Sequence, residues 1–273
     1  MRFTIAAFAD EADPLLNGQI KALSENAIEY LEIRGVDNTN VSDLSEEKAK
    51  EIKKVLDDNG IKVWSIGSPY GKIKIDQPFG EHLEKFKRGI ELSHILGSER
   101  IRMFSFYVPK NEAEVYREEV FERLYSFEVA AKGSGVILCH ENEKGIYGDT
   151  ADRCADIHEN FKSIRAVFDP ANFVQCGQDT RNAWEKLGGY VDYMHIKDAL
   201  SDGKIVPAGA GVGNVSWLLS RYTGKMLTLE PHLSVFKGLE ELENGEKTKI
   251  DEYRYPSART AFDAAVQALK KLI

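Results

Sequence analysis

The stretch Ile137-Leu138-Cys139-His140-Glu141 decides the fold, because it is a short apolar run that ends in a single carboxylate. Three later runs repeat this pattern and end at Asp169, His195 and Glu230. The four polar residues are 28, 26 and 35 positions apart, which is close to the length of one strand followed by one helix. If the runs are consecutive parallel strands of one barrel, all four side chains meet at its carboxyl end.

Eight apolar runs alternate with amphipathic segments along the chain. The runs cover residues 3–8, 30–33, 63–66, 101–104, 136–139, 166–168, 191–196 and 226–229. Parallel strands that are buried on both faces have such continuous apolar sequences. The intervening segments carry apolar residues at helical spacing, as at Phe79, Leu83, Phe86 and Ile90. The pattern predicts an α/β fold, a (β/α)₈ TIM barrel that spans residues 1–273 as a single domain.

An open doubly wound sheet is the alternative architecture. It usually carries a glycine-rich turn after the first strand, whereas this chain has Asp10-Glu11-Ala12-Asp13-Pro14 there. Ser45 and Gly60 are suited to cap the two ends of the second helix. Two longer segments, residues 199–214 and 231–256, follow late strands, where barrel enzymes build their active sites.

The composition narrows the classes of partner. The formal net charge is −8, which argues against a nucleic-acid partner, because such proteins usually present a basic surface. No apolar run approaches the roughly 18 residues of a membrane span. The three cysteines form no CxxC pair, which favours a reducing, cytoplasmic location. The charge does not argue against a small anionic ligand, because a local group of lysines and arginines can hold one, and a homo-oligomer is left open.

The four residues that end the late strands are predicted to hold a metal. Each alone has an ordinary explanation as a helix cap, a turn residue or a hydrogen-bonded histidine. Together, Glu141, Asp169, His195 and Glu230 offer three carboxylates and one imidazole, a ligand set for one divalent ion. Mn²⁺ is the leading expectation, and Mg²⁺, Co²⁺ and Zn²⁺ have overlapping ligand preferences.

Other polar residues lie near the expected strand ends and are candidates for substrate binding. They suit a polyol, because their charged and amide groups can hydrogen-bond hydroxyls. For each of them, a solvated loop residue is the simpler interpretation. The candidates are Glu32, Arg34, Ser68, Arg102, Asn142, Asn172, Lys197 and His232.

A glycine-rich loop follows the seventh run. Backbone amides of Gly209, Gly211 and Gly213 could hold a phosphate just before a short helix that Asn214 could cap. A plain flexible turn explains the same glycines. The loop is not a P-loop, because no Gly-Lys-Ser/Thr follows it.

Seven stretches, spread over nearly the whole chain, carry a family resemblance. They are Glu32-Ile33-Arg34-Gly35, Ile66-Gly67-Ser68-Pro69-Tyr70-Gly71-Lys72, Ile101-Arg102-Met103-Phe104-Ser105-Phe106, His140-Glu141-Asn142, Asp169-Pro170-Ala171-Asn172-Phe173, His195-Ile196-Lys197-Asp198 and Leu229-Glu230-Pro231-His232. With them the chain resembles the sugar phosphate isomerase/epimerase family with the xylose isomerase-like barrel, which implies a small-molecule carbohydrate or sugar phosphate as its partner. The resemblance implies one divalent ion on Glu141, Asp169, His195 and Glu230. In the ketose 3-epimerase branch the two glutamates also exchange the substrate proton. That branch tends to carry histidine where this chain has Asn172, so a substrate contact is changed.

Three functions remain open from the sequence. The first is a metal-dependent sugar or sugar phosphate isomerase or epimerase, in which Glu141 and Glu230 transfer a proton next to a carbonyl through an enediolate. The second is a metal-dependent dehydratase that acts on a cyclic polyol of the inosose type. The third is a non-catalytic sugar-binding barrel. The pair of glutamates favours an enzyme, because a pure binding protein needs no base on each face of its ligand.

Overall fold

The eight apolar runs form the strands of a closed parallel barrel in the computed structural model, which describes residues 2–236, 248–251 and 254–273. Each strand pairs with its neighbours in sequence, and β1 closes the barrel against both β2 and β8. The predicted TIM barrel is confirmed. The strands are β1 Thr4–Ala7, β2 Tyr30–Ile33, β3 Lys62–Gly67, β4 Arg100–Met103, β5 Ile137–Glu141, β6 Arg165–Phe168, β7 Val191–Ile196 and β8 Met226–Leu229.

Helices join the strands and cover the outside of the barrel. Ser45 caps α2 by accepting the amide of Lys48, and Gly60 follows the helix with a φ of 71° that favours glycine. Both sequence expectations for this helix are confirmed. The α-helices within the described residues are α1 Leu16–Glu25, α2 Glu46–Asp58, α3 Gly80–Leu96, α4 Ala113–Ala131, α5 Ala151–Asn160, α6 Pro170–Gln175, α7 Thr180–Leu187, α8 Val215–Arg221 and α9 Ala258–Lys270.

The main apolar core lies between the barrel and its helices. The Phe86 and Phe127 rings, on α3 and α4, pack with centroids 4.3 Å apart, and both side chains are fully buried. A smaller apolar cluster fills the barrel interior and includes Ala6, Val167 and Tyr193. Because apolar side chains fill this part of the interior, the polar groups gather towards the other end.

Both long segments predicted near the active site leave the barrel at its carboxyl end. The first contains a short hairpin in which Asp198–Ala199 pairs with Ile205–Val206. Asn214 precedes α8 but makes no capping hydrogen bond, because its Oδ1 accepts from Arg181 Nε at 3.1 Å instead. The second segment, residues 231–256, lies partly outside the described residues. Among the described helices, none is long and apolar enough to cross a membrane.

Buried His158 makes stability sensitive to acid. Burial lowers its pKa from 6.5 to about 4, and its Nδ1 hydrogen-bonds the carbonyl of Ile164 at 3.2 Å. The folded protein therefore prefers neutral His158, and this stabilisation is present above pH 6.5 and is lost as the pH falls towards 4. Between pH 6.5 and pH 4 this group should lower the free energy of unfolding by roughly 3 kcal/mol. We expect His158→Gln to abolish this part of the decrease. Urea unfolding at a series of pH values measures it, and His94→Gln, at the exposed end of α3, is the control.

Candidate active site

The four predicted ligands converge at the carboxyl end of the barrel. Glu141 ends β5, Asp169 directly follows β6, His195 is the penultimate residue of β7, and Glu230 directly follows β8. One ligand atom from each residue lies within 4.8 Å of the others, and all four residues are buried. We call this group the ligand ring.

The imidazole of His195 is oriented by hydrogen bonds on both nitrogens. Nε2 lies 3.2 Å from Glu32 Oε2, while Nδ1 faces Glu141 Oε1 at 2.9 Å and Glu230 Oε2 at 3.5 Å. Tyr193 donates to the other oxygen of Glu32 at 2.8 Å and holds that carboxylate in place. A carboxylate behind a histidine is the usual arrangement for a metal-binding imidazole, because it fixes the ring with its other nitrogen towards the metal.

The ligand ring fits a divalent ion. Asp169 Oδ1 accepts the backbone amide of Asn172, whereas the buried Oδ2 is contacted only by the Lys197 ammonium, at 2.9 Å, among the residues that the structure describes. Burial raises the pKa of Asp169 to about 7, although Lys197 opposes the rise. An ion held by Glu141, Asp169, His195 and Glu230 would compensate the buried charge of these carboxylates.

Lys197 is already close to two of these carboxylates. Its Nζ lies 2.7 Å from Glu230 Oε2 and 2.9 Å from Asp169 Oδ2. Burial alone lowers the pKa of Lys197, but Asp169 and Glu230 raise it above its ordinary value. The side chain is therefore a buried ammonium, and it balances part of the negative charge of the ligand ring.

Arg34 neutralises a second group of acids beside the ring. Its guanidinium forms two hydrogen bonds to Asp10 and contacts Glu11 and Glu230 Oε1, each at 3.1 Å. Burial raises the pKa of Glu11 to about 8, which Arg34 opposes. Glu11, Glu230 and His232 also lie within reach of a common ion. The guanidinium of Arg34 already contacts the Oε1 atoms of Glu11 and Glu230. We therefore interpret these residues as an ion-pair cluster and propose no second metal there.

A cavity of about 20 Å³ lies above the ligand ring, which is room for an ion or a water molecule. Six of the predicted site residues line it, namely Arg102, Glu141, Asn172, Lys197, Glu230 and His232. Their side chains could reach a small substrate once the cavity opens. Residues that the sequence analysis did not select also line it, namely Lys72, Phe104, Glu143, Lys144, Gln175 and Thr248.

Four predicted substrate contacts have other partners in the structure. Glu32 holds His195, and Arg34 holds the acidic group described above. Ser68 Oγ donates to the carbonyl of Arg102, and Asn142 exchanges two hydrogen bonds with the backbone of Asp169. These side chains hold the strand ends together, so the expectation that they bind substrate is not supported by their positions.

Several acids and cations of the site were missed because their sequence pattern is ordinary. Asp10 and Glu11 lie in a 3₁₀ turn after β1, and in the sequence they indicate only that a glycine-rich turn is absent there. Lys72 and Glu143 pair at 2.9 Å, although they are 71 positions apart. All four residues lie within a few positions of the end of a strand. This position could have identified them, since such residues face the mouth of a barrel.

The glycine-rich loop binds an internal carboxylate. The amides of Gly209 and Gly211 donate to Asp198 Oδ2 at 3.0 Å, and the amide of Gly213 donates to Oδ1 at 2.8 Å. A Cβ at Gly211 would lie 2.4 Å from that carboxylate, so the glycine permits the close approach. The phosphate site predicted here is therefore contradicted, because Asp198 accepts hydrogen bonds from all three amides.

Replacing Asp198 is expected to loosen this loop. Asp198→Ala leaves the three amides without their acceptor, at a cost of about 1–3 kcal/mol in the free energy of unfolding. Limited proteolysis should then cut near the glycines faster than in the unmodified protein. Asp202→Ala is the control, because Asp202 lies in the same segment but is exposed and accepts the amide of Lys204. Equal cutting of both variants would contradict the assigned role of Asp198.

A family model described as xylose isomerase-like TIM barrel matches residues 20–233. The chain belongs to that family. No curated protein matches its sequence significantly.

Solved structures of this barrel type align over almost the full chain at low identity. The IolI protein with a bound zinc atom is 16% identical with a TM-score of 0.76, and the alignment covers 99% of this chain and 98% of that one. The probable 3-DHS dehydratase AsbF from Bacillus anthracis is 16% identical with a TM-score of 0.74, covering 98% of both chains. D-Psicose 3-epimerase with D-tagatose, from Clostridium cellulolyticum H10, is 15% identical with a TM-score of 0.73, covering 99% and 98%. At these identities the similarity shows the shared fold.

Proposed function

We propose that this xylose isomerase-like barrel is a divalent-metal-dependent isomerase or epimerase of a sugar or sugar phosphate. The observation that carries the proposal is the ligand ring, in which two glutamates, one aspartate and one histidine meet at the mouth of the barrel. Similar barrels include a zinc-bound protein, a magnesium complex and a sugar epimerase, which is consistent with this chemistry.

The bound ion would polarise a carbonyl of the substrate and make the neighbouring carbon-bound proton more acidic. Glu141 and Glu230 extend from β5 and from the end of β8, so they approach the cavity from different parts of the barrel. In the proposed reaction one carboxylate removes the proton, which leaves an enediolate and a carboxylic acid. Return of a proton to the opposite face inverts that carbon, and return to the neighbouring carbon exchanges aldose for ketose.

The carboxylate of Glu230 is ionised at neutral pH, which is the state that a base requires. Burial alone raises its pKa, but the ammonium of Lys197 and the hydrogen bond from His195 lower it well below the ordinary value. Glu141 Oε2 lies 3.4 Å from Arg102 Nε, a buried guanidinium nitrogen with no hydrogen-bond partner in the described part of the chain. We assign Arg102 and Asn172 to the orientation of substrate oxygens, because both line the cavity and both touch Glu141.

A dehydratase acting on a cyclic polyol is the second candidate. It is favoured by His232 Nε2, a buried nitrogen without a hydrogen-bond partner among the described residues, which lies 3.4 Å from Glu11 Oε1 and 3.6 Å from Glu230 Oε1. A neutral imidazole there could hydrogen-bond a hydroxyl that leaves after proton abstraction. AsbF, which has a similar barrel, is described as a probable dehydratase, so the fold is compatible with this second candidate.

Product mass separates the two candidates. The Mn²⁺-loaded protein would be incubated with a panel of free and phosphorylated ketoses and with inososes, and the products would be weighed by mass spectrometry. An isomerase or epimerase gives a product of unchanged mass, as proposed. A product lighter by one water would establish the dehydratase instead.

A further inference from the structure

Lys197 engages the same oxygens that the ligand ring offers to a metal. The other oxygen of each acid is already bound, because Asp169 Oδ1 caps α6 through Asn172 and Glu230 Oε1 pairs with Arg34. Asp169 Oδ2 and Glu230 Oε2 remain, and the ammonium of Lys197 lies 2.9 and 2.7 Å from them. The ammonium and a divalent ion therefore require the same two atoms.

We propose that, in the metal-free protein, the Lys197 ammonium takes the place of the divalent ion beside Asp169 and Glu230. When the ion binds, it displaces this side chain into the substrate cavity. This inference rests on the metal dependence in the proposed function. With no metal, the ammonium offsets two buried carboxylates that would otherwise repel each other. When the ion takes their oxygens, the ammonium loses its partners and is repelled by the new charge.

The displaced side chain would enter the cavity, where it can contact the substrate. Lys197 already lines it, together with Arg102 and Lys72. The present cavity of about 20 Å³ is too small for a sugar, so side chains must move before substrate enters. A lysine released into that space can donate hydrogen bonds to substrate oxygens, which makes the substrate contact dependent on prior metal binding.

The first test measures Mn²⁺ affinity by calorimetry on the metal-free full chain. Lys197→Met removes the competing ammonium and keeps a side chain of similar length. We expect its dissociation constant for Mn²⁺ to fall by about tenfold or more. Lys72→Met is the matched control, because Lys72 is a buried lysine of the same cavity that pairs with Glu143, outside the ligand ring. Its Mn²⁺ affinity should change several times less.

The second test uses the unmodified protein and so does not depend on the folding of a variant. An amine-reactive reagent is applied with and without Mn²⁺, and labelling at Lys197 is read by mass spectrometry of peptides. We expect labelling of Lys197 to increase several-fold when Mn²⁺ is bound.

Two results would overturn the inference. Unchanged or weaker Mn²⁺ binding by Lys197→Met would show that the lysine organises the ligand ring, and it would leave the metal site of the proposed function intact. Lys197 labelling that does not rise with Mn²⁺ would show that the ammonium stays in place. Absence of Mn²⁺ binding by the unmodified protein would overturn the inference and the metal-dependent function together.

Discussion

Glu141→Gln and Glu230→Gln are each expected to lower turnover of the proposed substrate by at least about a hundredfold. A glutamine keeps the shape of the side chain but cannot accept a proton from carbon, and general-base catalysis typically contributes about 10²–10⁴-fold. Each change also removes a negative charge from the ligand ring, so Mn²⁺ should bind more weakly. Steady-state kinetics and calorimetry with the same preparations measure the two effects.

Glu143→Gln is the matched control for these variants. Glu143 is half-buried at the mouth and lines the same cavity, but it pairs with Lys72 and lies outside the ligand ring. We expect it to keep its Mn²⁺ affinity within a few-fold and to lose much less turnover. Near-normal turnover in both Glu141→Gln and Glu230→Gln would contradict their assignment as acid and base.

Arg34→Met is expected to be the most destabilising single change at the mouth of the barrel. Arg34 is only 4% exposed and contacts three buried acids, Asp10, Glu11 and Glu230. Removing one partner of a buried ion pair leaves uncompensated charge, at a cost of about 3–5 kcal/mol. Urea unfolding at pH 7 measures the loss.

Arg100→Met provides the comparison for that change. Arg100 lies at the amino-terminal end of β4 and pairs with partly exposed Asp192 at 2.6 Å and with exposed Glu99 at 3.8 Å. Solvent stabilises the remaining carboxylates there, so the loss should be much smaller. Equal destabilisation by the two substitutions would contradict the view that the mouth of the barrel depends on Arg34 for charge balance.

The barrel could be predicted because its signal is local. Each buried strand is a short apolar run, and three of the predicted runs, residues 30–33, 191–196 and 226–229, coincide with the observed strands β2, β7 and β8. The others differ by one or two residues at their ends, where solvent and register set the boundary. The ligand ring was predictable for the same reason, since one polar residue stands out where an apolar run ends.

The partners of the polar residues could not be predicted, because pairing depends on side-chain directions in three dimensions. Glu32 looked like a substrate contact, yet both its oxygens are engaged by His195 and Tyr193 inside the barrel. The glycines after β7 fit a phosphate loop equally well, and only the position of Asp198 shows which anion they bind. A sequence shows which groups reach the mouth of a barrel, and the structure shows which of them are already satisfied.

Exchange of a substrate proton with solvent tests the central claim most directly. The Mn²⁺-loaded protein is incubated in D₂O with free and phosphorylated ketoses and with inososes, and deuterium uptake is followed by NMR. The proposed chemistry predicts uptake at one carbon beside the carbonyl, and loss of that uptake in Glu141→Gln and Glu230→Gln. Turnover of a compound in this panel without deuterium at that carbon, or uptake that both variants retain, would contradict proton transfer by the two glutamates.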